Sequence, residues 1–269
     1  GRSEVLTEDR VSAGIAAAGC ISAGTCFCRH KMVHAGKACD APMDVCMTFN
    51  GTAEFLAARG IARRVSADEA HAMVRRCAEH GLVQIGDNSR SGLVVICNCC
   101  GCCCDLLLGY KRFGLTGIVS PSAFAARIDA GTCTDCGTCA KRCPVDAVRG
   151  DGDGRVVDGM RCLGCGVCAR FCPSGACHMV ARAERPHVPQ DFFEKLGREA
   201  IWQGKLGNFV FQEQDHPVHE VGRRVVNALT RAGPVRRFLL RPDVCSQLIG
   251  FFRRRRLPDV VRSTGGVAS

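Results

Sequence analysis

The sequence predicts an α+β fold in three segments, and three observations carry that prediction. Helical and strand-like periodicities alternate in the first part of the chain, a cysteine-rich internal repeat follows, and the last part is helical and rich in arginine. We expect a cysteine-rich α+β region at residues 1–123, a repeat domain at 124–182 and a helical basic tail at 183–269. A chain of 269 residues is long enough to bury a core in one large or two small domains.

Cysteine is the unusual part of the composition, with 22 of the 269 residues. Disulfide scaffolds reach such a level in short secreted chains, but this chain is long and its first residues lack the pattern of a signal peptide. No apolar stretch approaches the roughly 20 residues that a membrane span requires. We therefore expect a protein of the reducing cytoplasm with several metal centres and no integral membrane segment.

The first segment contains ordinary helix and strand signals. Residues 8–18 have a helical pattern, and Ser66 with Glu69 forms a capping box, because each side chain can satisfy a backbone amide at a helix N-terminus. Gly81 is suited to ending that second helix, and residues 93–96 predict a strand. The apolar residues at helical spacing between these signals are Ala70, Met73, Val74 and Cys77.

Two tandem motifs of the form Cys-x-x-Cys-x-x-Cys-x-x-x-Cys-Pro carry the strongest chemical signal. Three cysteines at intervals of three let one short loop surround a [4Fe-4S] cubane, while the fourth, before proline, ligates the other cluster. Zinc sites need neither the third cysteine nor the proline, so zinc is disfavoured here. Cluster 1 is expected to use Cys133, Cys136, Cys139 and Cys172. Cluster 2 is expected to use Cys162, Cys165, Cys168 and Cys143.

This segment resembles the bacterial two-cluster ferredoxins, and both motifs are complete. The resemblance implies a ferredoxin-like two-cluster domain that holds two [4Fe-4S] clusters. A glycine-rich turn at residues 150–154 is expected to join its two halves. Cys177, which follows the second motif, is expected to be a small core residue rather than a ligand.

Ten further cysteines lie upstream in two groups. The first group places four thiols within 21 residues, which suits a third cubane, although zinc and the absence of a metal stay open: Cys26, Cys28, Cys39 and Cys46. The second group has six thiols: Cys97, Cys99, Cys100, Cys102, Cys103 and Cys104. Adjacent side chains point apart in an extended chain, so one cubane does not easily take all six. They could complete the first site, hold a separate cluster or form a non-cubane centre, and which of them are ligands stays open. We expect one or two further iron–sulfur clusters here, and packing roles for Cys20, Cys77 and Cys245.

The whole pattern has a wider resemblance. Cys26-x-Cys28-Arg29-His30, the run of cysteines from 97 to 104 and the paired motifs resemble a group of larger multi-cluster iron–sulfur proteins of bacteria and archaea. The resemblance covers residues 10–182 and, more weakly, 202–241. It implies multi-cluster electron transfer. It also implies an additional N-terminal region, in some members of winged-helix type, so that a chain beginning at Gly1 is expected to be a processed or truncated product.

The tail is basic. The formal charge of the chain is +10, and two clusters, at about −2 each, would reduce it to roughly +6, which is too little to imply nucleic acid as a partner. Residues 231–262 contain nine arginines, four of them consecutive at 253–256. An amphipathic helix is expected at 218–232, with apolar residues Val221, Val225, Val226 and Leu229. A solvated face is the simplest interpretation; among functional ones, docking of an acidic redox partner protein is favoured over a membrane surface or nucleic acid.

These features favour one function and leave two alternatives. The leading hypothesis is an iron–sulfur electron-transfer protein that passes single electrons through several [4Fe-4S] clusters, as an accessory or subunit of a larger oxidoreductase. The alternatives are a redox enzyme with a substrate-binding cluster near residues 97–104, and an iron–sulfur redox sensor or regulator. The sequence has no G-x-G-x-x-G or Walker motif, so we expect no flavin, nicotinamide or ATP site, and we assign no catalytic residue.

The arginine run yields a first prediction. Changing residues 253–256 from arginine to glutamate should slow reduction by an acidic electron-transfer protein several-fold at low salt and little at high salt, because salt screens exposed charges. Stopped-flow reduction at two ionic strengths measures the effect, and the iron content should stay unchanged. Equal slowing at both salt concentrations would rule out electrostatic docking through this run.

Overall fold

The computed structural model describes residues 3–90, 93–150, 154–211 and 217–256. The chain divides into two compact units, which are described separately here. The first unit comprises residues 1–88 and 93–186, and the second comprises 89–92 and 187–269. The first two segments expected from the sequence therefore share one unit, and the tail forms the other.

A seven-stranded sheet forms the N-terminal part of the first unit. Its strands are β1 (Ser3–Val5), β2 (Ile21–Gly24), β3 (Cys46–Phe49), β4 (Ala62–Arg64), β5 (Val83–Asp87), β6 (Val95–Cys99) and β7 (Val119–Ser120). The strand order is β4-β2-β3-β6-β5-β1-β7, and all neighbours are antiparallel except β1 and β7. The β6 strand, which leads into the cysteine run, is therefore central and paired on both edges.

Five helices connect these strands: α1 (Glu8–Ala16), α2 (Phe27–His34), α3 (Asn50–Ala58), α4 (Ala67–Glu79) and α5 (Asp105–Phe113). The helix expected at 8–18 is α1. The cap of α4 is present in part, because the Ser66 hydroxyl accepts a hydrogen bond from the Glu69 amide at 3.1 Å. The Glu69 carboxylate instead pairs with Arg63 at 2.5 Å, so the reciprocal half of the capping box is replaced by an ion pair. As expected, Gly81 follows the helix end with a φ of +74°.

The strand expected at 93–96 lies slightly later, at Val95–Cys99, and continues into the cysteine run. The Asp87 carboxylate accepts hydrogen bonds from the amides of Val94 (2.8 Å) and Val95 (3.0 Å), which fixes where the chain enters the sheet. From that point β6 pairs with both β3 and β5. The pairing with β5 extends to Cys99, because Val83 is its partner in the register.

The repeat domain, which we define as residues 124–182, has two similar halves. Its elements are β8 (Phe124–Ile128), α6 (Thr138–Arg142), β9 (Val148–Gly150), β10 (Arg155–Val157), α7 (Val167–Arg170) and β11 (Cys177–Ala181). The first and last strands, β8 and β11, pair antiparallel, as do β9 and β10. Gly137 and Gly166 begin the two short helices with φ values of 72° and 75°, a left-handed conformation that glycine adopts readily. Of the turn expected at 150–154, residues 151–153 lie outside the described part of the chain.

Part of the N-terminal sheet shares a hydrophobic core with the repeat domain, whereas Ile21, Met47 and Ile96 of the same sheet belong to a second buried cluster. Ile85 and Leu107 from the sheet region belong to the same buried cluster as Leu163 and Val167 from the second motif. The Tyr110 hydroxyl donates to the backbone carbonyls of Met160 and Arg161, directly before the second motif, at 3.3 Å and 3.2 Å. The upstream cysteines are therefore held against the repeat domain.

The described residues of the second unit form five helices: α8 (Phe192–Trp202), α9 (Leu206–Val210), α10 (Pro217–Arg231), α11 (Gly233–Leu239) and α12 (Pro242–Arg256). Its buried core consists of Ile201, Leu206, Cys245 and Ile249. The expected amphipathic helix is α10, but most of its apolar face is uncovered. Val221, Val225 and Leu229 are 63%, 53% and 57% exposed, whereas Val226 packs on the core. The side chains of 253–256 lie outside what the structure describes, and among the described residues no helix is long and apolar enough to cross a bilayer.

Gly101 marks the contact between the cysteine run and the repeat domain, and it yields a second prediction. A Cβ at this position would lie 2.5 Å from the Pro144 carbonyl oxygen and 2.8 Å from its Cα, both backbone atoms that cannot rotate away. Gly101→Ala should therefore lower the free energy of unfolding by about 1–3 kcal/mol, as overpacking does. Chemical denaturation measures the loss.

Gly117→Ala is the matched control, because a Cβ at Gly117 would have no neighbour within 4 Å. It should leave the free energy of unfolding nearly unchanged. Equal free energies of unfolding for the two variants would show that the close approach of Gly101 to the Pro144 backbone does not limit the side chain at position 101.

Candidate functional site

Each half of the repeat domain contributes to two separate cavities. The first cavity is lined by the four cysteines predicted for cluster 1: Cys133, Cys136, Cys139 and Cys172. Three of these come from the first motif, and the fourth precedes the proline of the second motif. The antiparallel pairing of β8 with β11 brings the end of the second motif back to the start of the first.

The second cavity is lined by the four cysteines predicted for cluster 2: Cys162, Cys165, Cys168 and Cys143. The fourth cysteine of each motif therefore lines the cavity of the other motif. Four thiols around one small cavity are the donor set of a [4Fe-4S] cluster, so the residues fit the cofactor that the motifs predict.

Backbone amides point at the sulfur atoms that line these cavities. The amide of Ala147 donates to Cys143 Sγ at 3.2 Å, and the amide of Cys177 donates to Cys172 Sγ at 3.3 Å. These two sulfurs occupy equivalent positions in the two motifs, each before the proline. Such N–H donors stabilise negative charge on the sulfur and are one of the means by which proteins adjust cluster potentials.

The two cavities differ in their exposure. Cys136 in the first cavity is exposed, and hydrogen bonds from Thr138 lower the pKa of its thiol. Burial raises the pKa of Cys165 in the second cavity to about 12. Arg155 also lines the first cavity and pairs with Asp135 at 2.6 Å. The first cavity is therefore the more open to solvent and has a cation at its wall.

Cys177 is buried, as expected, but it also lines the first cavity and contacts Cys168 of the second. Its side chain is 4% exposed, and its thiol forms a hydrogen bond with that of Cys168. Its backbone amide belongs to the first cavity through Cys172. Cys177 therefore lies between the two groups of predicted ligands. The other cysteines expected to pack, Cys20, Cys77 and Cys245, are all buried.

Upstream, four thiols come together in a compact group, which we name the four-thiol group: Cys39, Cys100, Cys102 and Cys103. All four sulfurs lie within 4.8 Å of one another. Three of them come from the turn that follows β6, and Cys39 comes from the irregular loop between α2 and β3. Burial works against ionisation of Cys39, but hydrogen bonds from the Ala41 amide and Arg29 lower the pKa of its thiol to about 7.

A buried arginine supports this group. Arg29 in α2 is 0% exposed and donates one hydrogen bond to the Pro42 carbonyl and another to Cys100 Sγ at 3.6 Å. The sequence places Arg29 directly after Cys28, where a positive charge can offset that of a thiolate. It gave no sign that Arg29 would be fully buried, because arginine is seldom buried without a partner.

The remaining six upstream cysteines form a continuous line of thiol contacts, which we name the six-thiol group: Cys26, Cys46, Cys97, Cys99, Cys104 and Cys28, in that order. Hydrogen bonds from Cys46 and Cys99 lower the pKa of Cys97 to about 4. Hydrogen bonds from Cys28 and Cys99 lower the pKa of Cys104 to about 3. Two members of the line are thus suited to be thiolates, each between two thiol donors.

The sheet and two helix starts build the six-thiol group. In the β3–β6 register Met47 pairs with Ile96, which brings the neighbouring Cys46 and Cys97 together. Cys26 and Cys104 are the N-caps of α2 and α5, where the helix dipole favours negative charge. Lys31 of α2 pairs with Asp105 in the first turn of α5, which links the two helices.

The structure therefore regroups the upstream cysteines. The sequence suggested one set at 26–46 and another at 97–104, each close in the chain. Instead, Cys39 joins three cysteines of the later run, and Cys26, Cys28 and Cys46 join the other three. The spacing of these cysteines in the sequence did not predict the two groups, because the grouping depends on strand register and on the bend at Gly101.

Comparison with known families gives one match. Residues 125–173 match the sequence model of the 4Fe-4S dicluster domain. The matched segment contains both motifs, so the chain carries a 4Fe-4S type iron–sulfur domain. A comparison with curated proteins found none that matches this chain. The upstream thiols lie outside the matched segment.

The exchanged cysteines yield a third prediction. Cys172→Ser should disturb the metal held with Cys133, Cys136 and Cys139, rather than its own sequence neighbours, because Cys172 lines the first cavity. Up to about four iron atoms should be lost. Iron analysis gives the loss, and the hyperfine-shifted NMR signals of the cysteine β-protons show which cavity is affected.

Cys143→Ser is the matched variant, since Cys143 lines the second cavity. It should disturb the signals of the other set and leave those affected by Cys172→Ser intact. If each variant instead disturbed its own motif, ligation within each motif would replace the exchanged arrangement.

Proposed function

We propose that this protein passes single electrons through several iron–sulfur clusters, as an accessory or subunit of a larger oxidoreductase. The observation that carries the proposal is the pair of cavities in the repeat domain, each of which has among its lining residues three cysteines of one motif and the fourth cysteine of the other. The match of residues 125–173 to a 4Fe-4S dicluster domain supports the same chemistry. When bound, such a cluster accepts and releases one electron at a potential set by net charge, hydrogen bonds to sulfur and solvent exposure.

The residues around the two cavities have distinct roles in this proposal. The exposed thiol of Cys136 makes the first cavity the side at which a partner can approach closely. Arg155 at the same cavity provides positive charge, which favours added negative charge there. Cys162 and Cys168 of the second cavity are buried, which limits the access of water to it. Electrons are therefore proposed to enter or leave through the first cavity.

The six-thiol group extends the chain of centres in this proposal. Three of its members, Cys97, Cys99 and Cys104, belong to the same hydrophobic cluster as Cys139, Cys162 and Cys168 of the repeat domain. A shared core keeps the separation between these thiols short. The group offers six thiols, and two of them, Cys97 and Cys104, have a lowered pKa. Such a set of thiols can provide the ligands of a further iron–sulfur centre.

A partner protein is proposed to dock on the second unit. The exposed apolar face of α10, with Val221, Val225 and Leu229, lies on a helix that also carries Arg224 and Arg231 at its surface. Protein interfaces combine an apolar centre with charged residues at the rim. An acidic electron-transfer protein of the cytoplasm has the charge that fits this surface.

A count of electrons tests the proposed function and is the fourth prediction. The full chain, purified without oxygen, should contain at least about eight iron and eight sulfide atoms and take up at least two electrons reversibly. Reductive titration followed by electron paramagnetic resonance measures both the number and the potentials. Iron beyond eight, matched by sulfide, would correspond to the six-thiol group.

A double variant provides the control. Cys139→Ser with Cys168→Ser removes one thiol from each cavity and should abolish most of the reversible uptake. If the wild-type chain holds eight or more iron atoms but takes up no electron between about −700 and +450 mV, the electron-transfer function is refuted.

A further inference from the structure

The four-thiol group has a geometry that distinguishes one metal ion from a cluster. The sulfur of Cys39 lies 3.6 Å from that of Cys100 and 3.7 Å from that of Cys103. The sulfurs of Cys102 and Cys103 are also 3.7 Å apart. These separations determine whether the four sulfurs can surround a single metal ion or a larger cluster.

Four thiolates about 2.3 Å from one tetrahedral ion stand about 3.8 Å from one another, because the edge of a tetrahedron is about 1.63 times its radius. A cubane instead places each thiolate on a different iron, so its four thiolates must stand farther apart. Three of the six sulfur–sulfur separations are 3.6–3.7 Å and the other three are at most 4.8 Å, which agrees better with the first arrangement. We propose that Cys39, Cys100, Cys102 and Cys103 hold a single divalent metal ion in an all-thiolate tetrahedral site. Zn²⁺ is the ion that this donor set favours.

The buried charge of Arg29 is an independent reason for a negatively charged site. Its guanidinium is fully buried, and the partners that it binds are the Pro42 carbonyl and the thiols of Cys39 and Cys100, with no carboxylate among them. Within the part of the chain that the structure describes, its Nε atom has no partner. A buried guanidinium is costly unless an opposite charge lies nearby. One divalent ion with four thiolates has a net charge of −2, which supplies that opposite charge.

The position of the site indicates a structural role. Cys39 lies in the irregular loop of residues 35–45, whereas the other three thiols lie in the turn at 100–103. The ion would link these two segments, which are 61 residues apart at the closest pair of ligands. It would thereby fix the loop that leads into Cys46, a member of the six-thiol group. Zn²⁺ has no redox chemistry, so this site would stand outside the electron path.

Metal analysis of the full chain tests this proposal and is the fifth prediction. Protein purified without oxygen from medium containing both metals should hold about one zinc in addition to its iron and sulfide. Cys102→Ser, at the exposed member of the group, should reduce the zinc at least several-fold and leave iron and sulfide unchanged. Cys20→Ala, at a buried thiol outside both groups, is the control and should keep the zinc.

A second measurement uses the wild-type chain, so it does not require that a variant folds. Replacement of zinc by Co²⁺ in the wild-type chain should give the visible absorption bands of tetrahedral cobalt with four thiolates. Loss of one iron without sulfide in Cys102→Ser would support the single-ion site with iron as its metal. Loss of about four iron and four sulfide would overturn it, as would a wild-type chain that contains no zinc and no iron in excess of sulfide. The iron and sulfide of the repeat domain are counted separately, so the electron-transfer function can fail while this site stands.

Discussion

The need to compensate negative charge on buried sulfur constrains the arrangement of the whole first unit. A thiolate in the protein interior is costly unless amide donors, cations or metal ions surround it. The repeat domain meets this need with backbone amides, of which those of Ala147 and Cys177 are the best aligned. The four-thiol group meets it with the buried guanidinium of Arg29, and the six-thiol group with helix N-termini at Cys26 and Cys104.

The central sheet positions the cysteines and the groups that compensate their charge. Because β6 is paired on both edges, the cysteine run leaves the sheet from a fixed position and in a fixed direction. The glycine at 101 then allows the turn to contact the Pro144 backbone, one residue beyond Cys143 of the second cavity. Upstream thiols and the repeat domain are therefore neighbours through backbone contact. This proximity makes a continuous series of centres physically reasonable for electron transfer.

The 22 cysteines thus have at least three kinds of role. Eight line the two cavities of the repeat domain, ten form the two upstream groups, and the buried Cys20, Cys77 and Cys245 pack in hydrophobic cores or beside them. Cys177 is intermediate, since it is buried like a core residue yet contacts both cavities.

The sequence by itself determined the local features of this protein. The motif spacing predicted which cysteines line each cavity, because intervals of three and a following proline fix the path of a short loop. Helical periodicity predicted α1, α4 and α10, since these elements depend mainly on residues near in the chain. The tertiary structure alone decided the grouping of the upstream thiols, the burial of Arg29 and the exposure of the α10 apolar face. Each of these depends on which distant segments meet, and strand register and helix docking are set by the packing of the whole unit rather than by any local pattern.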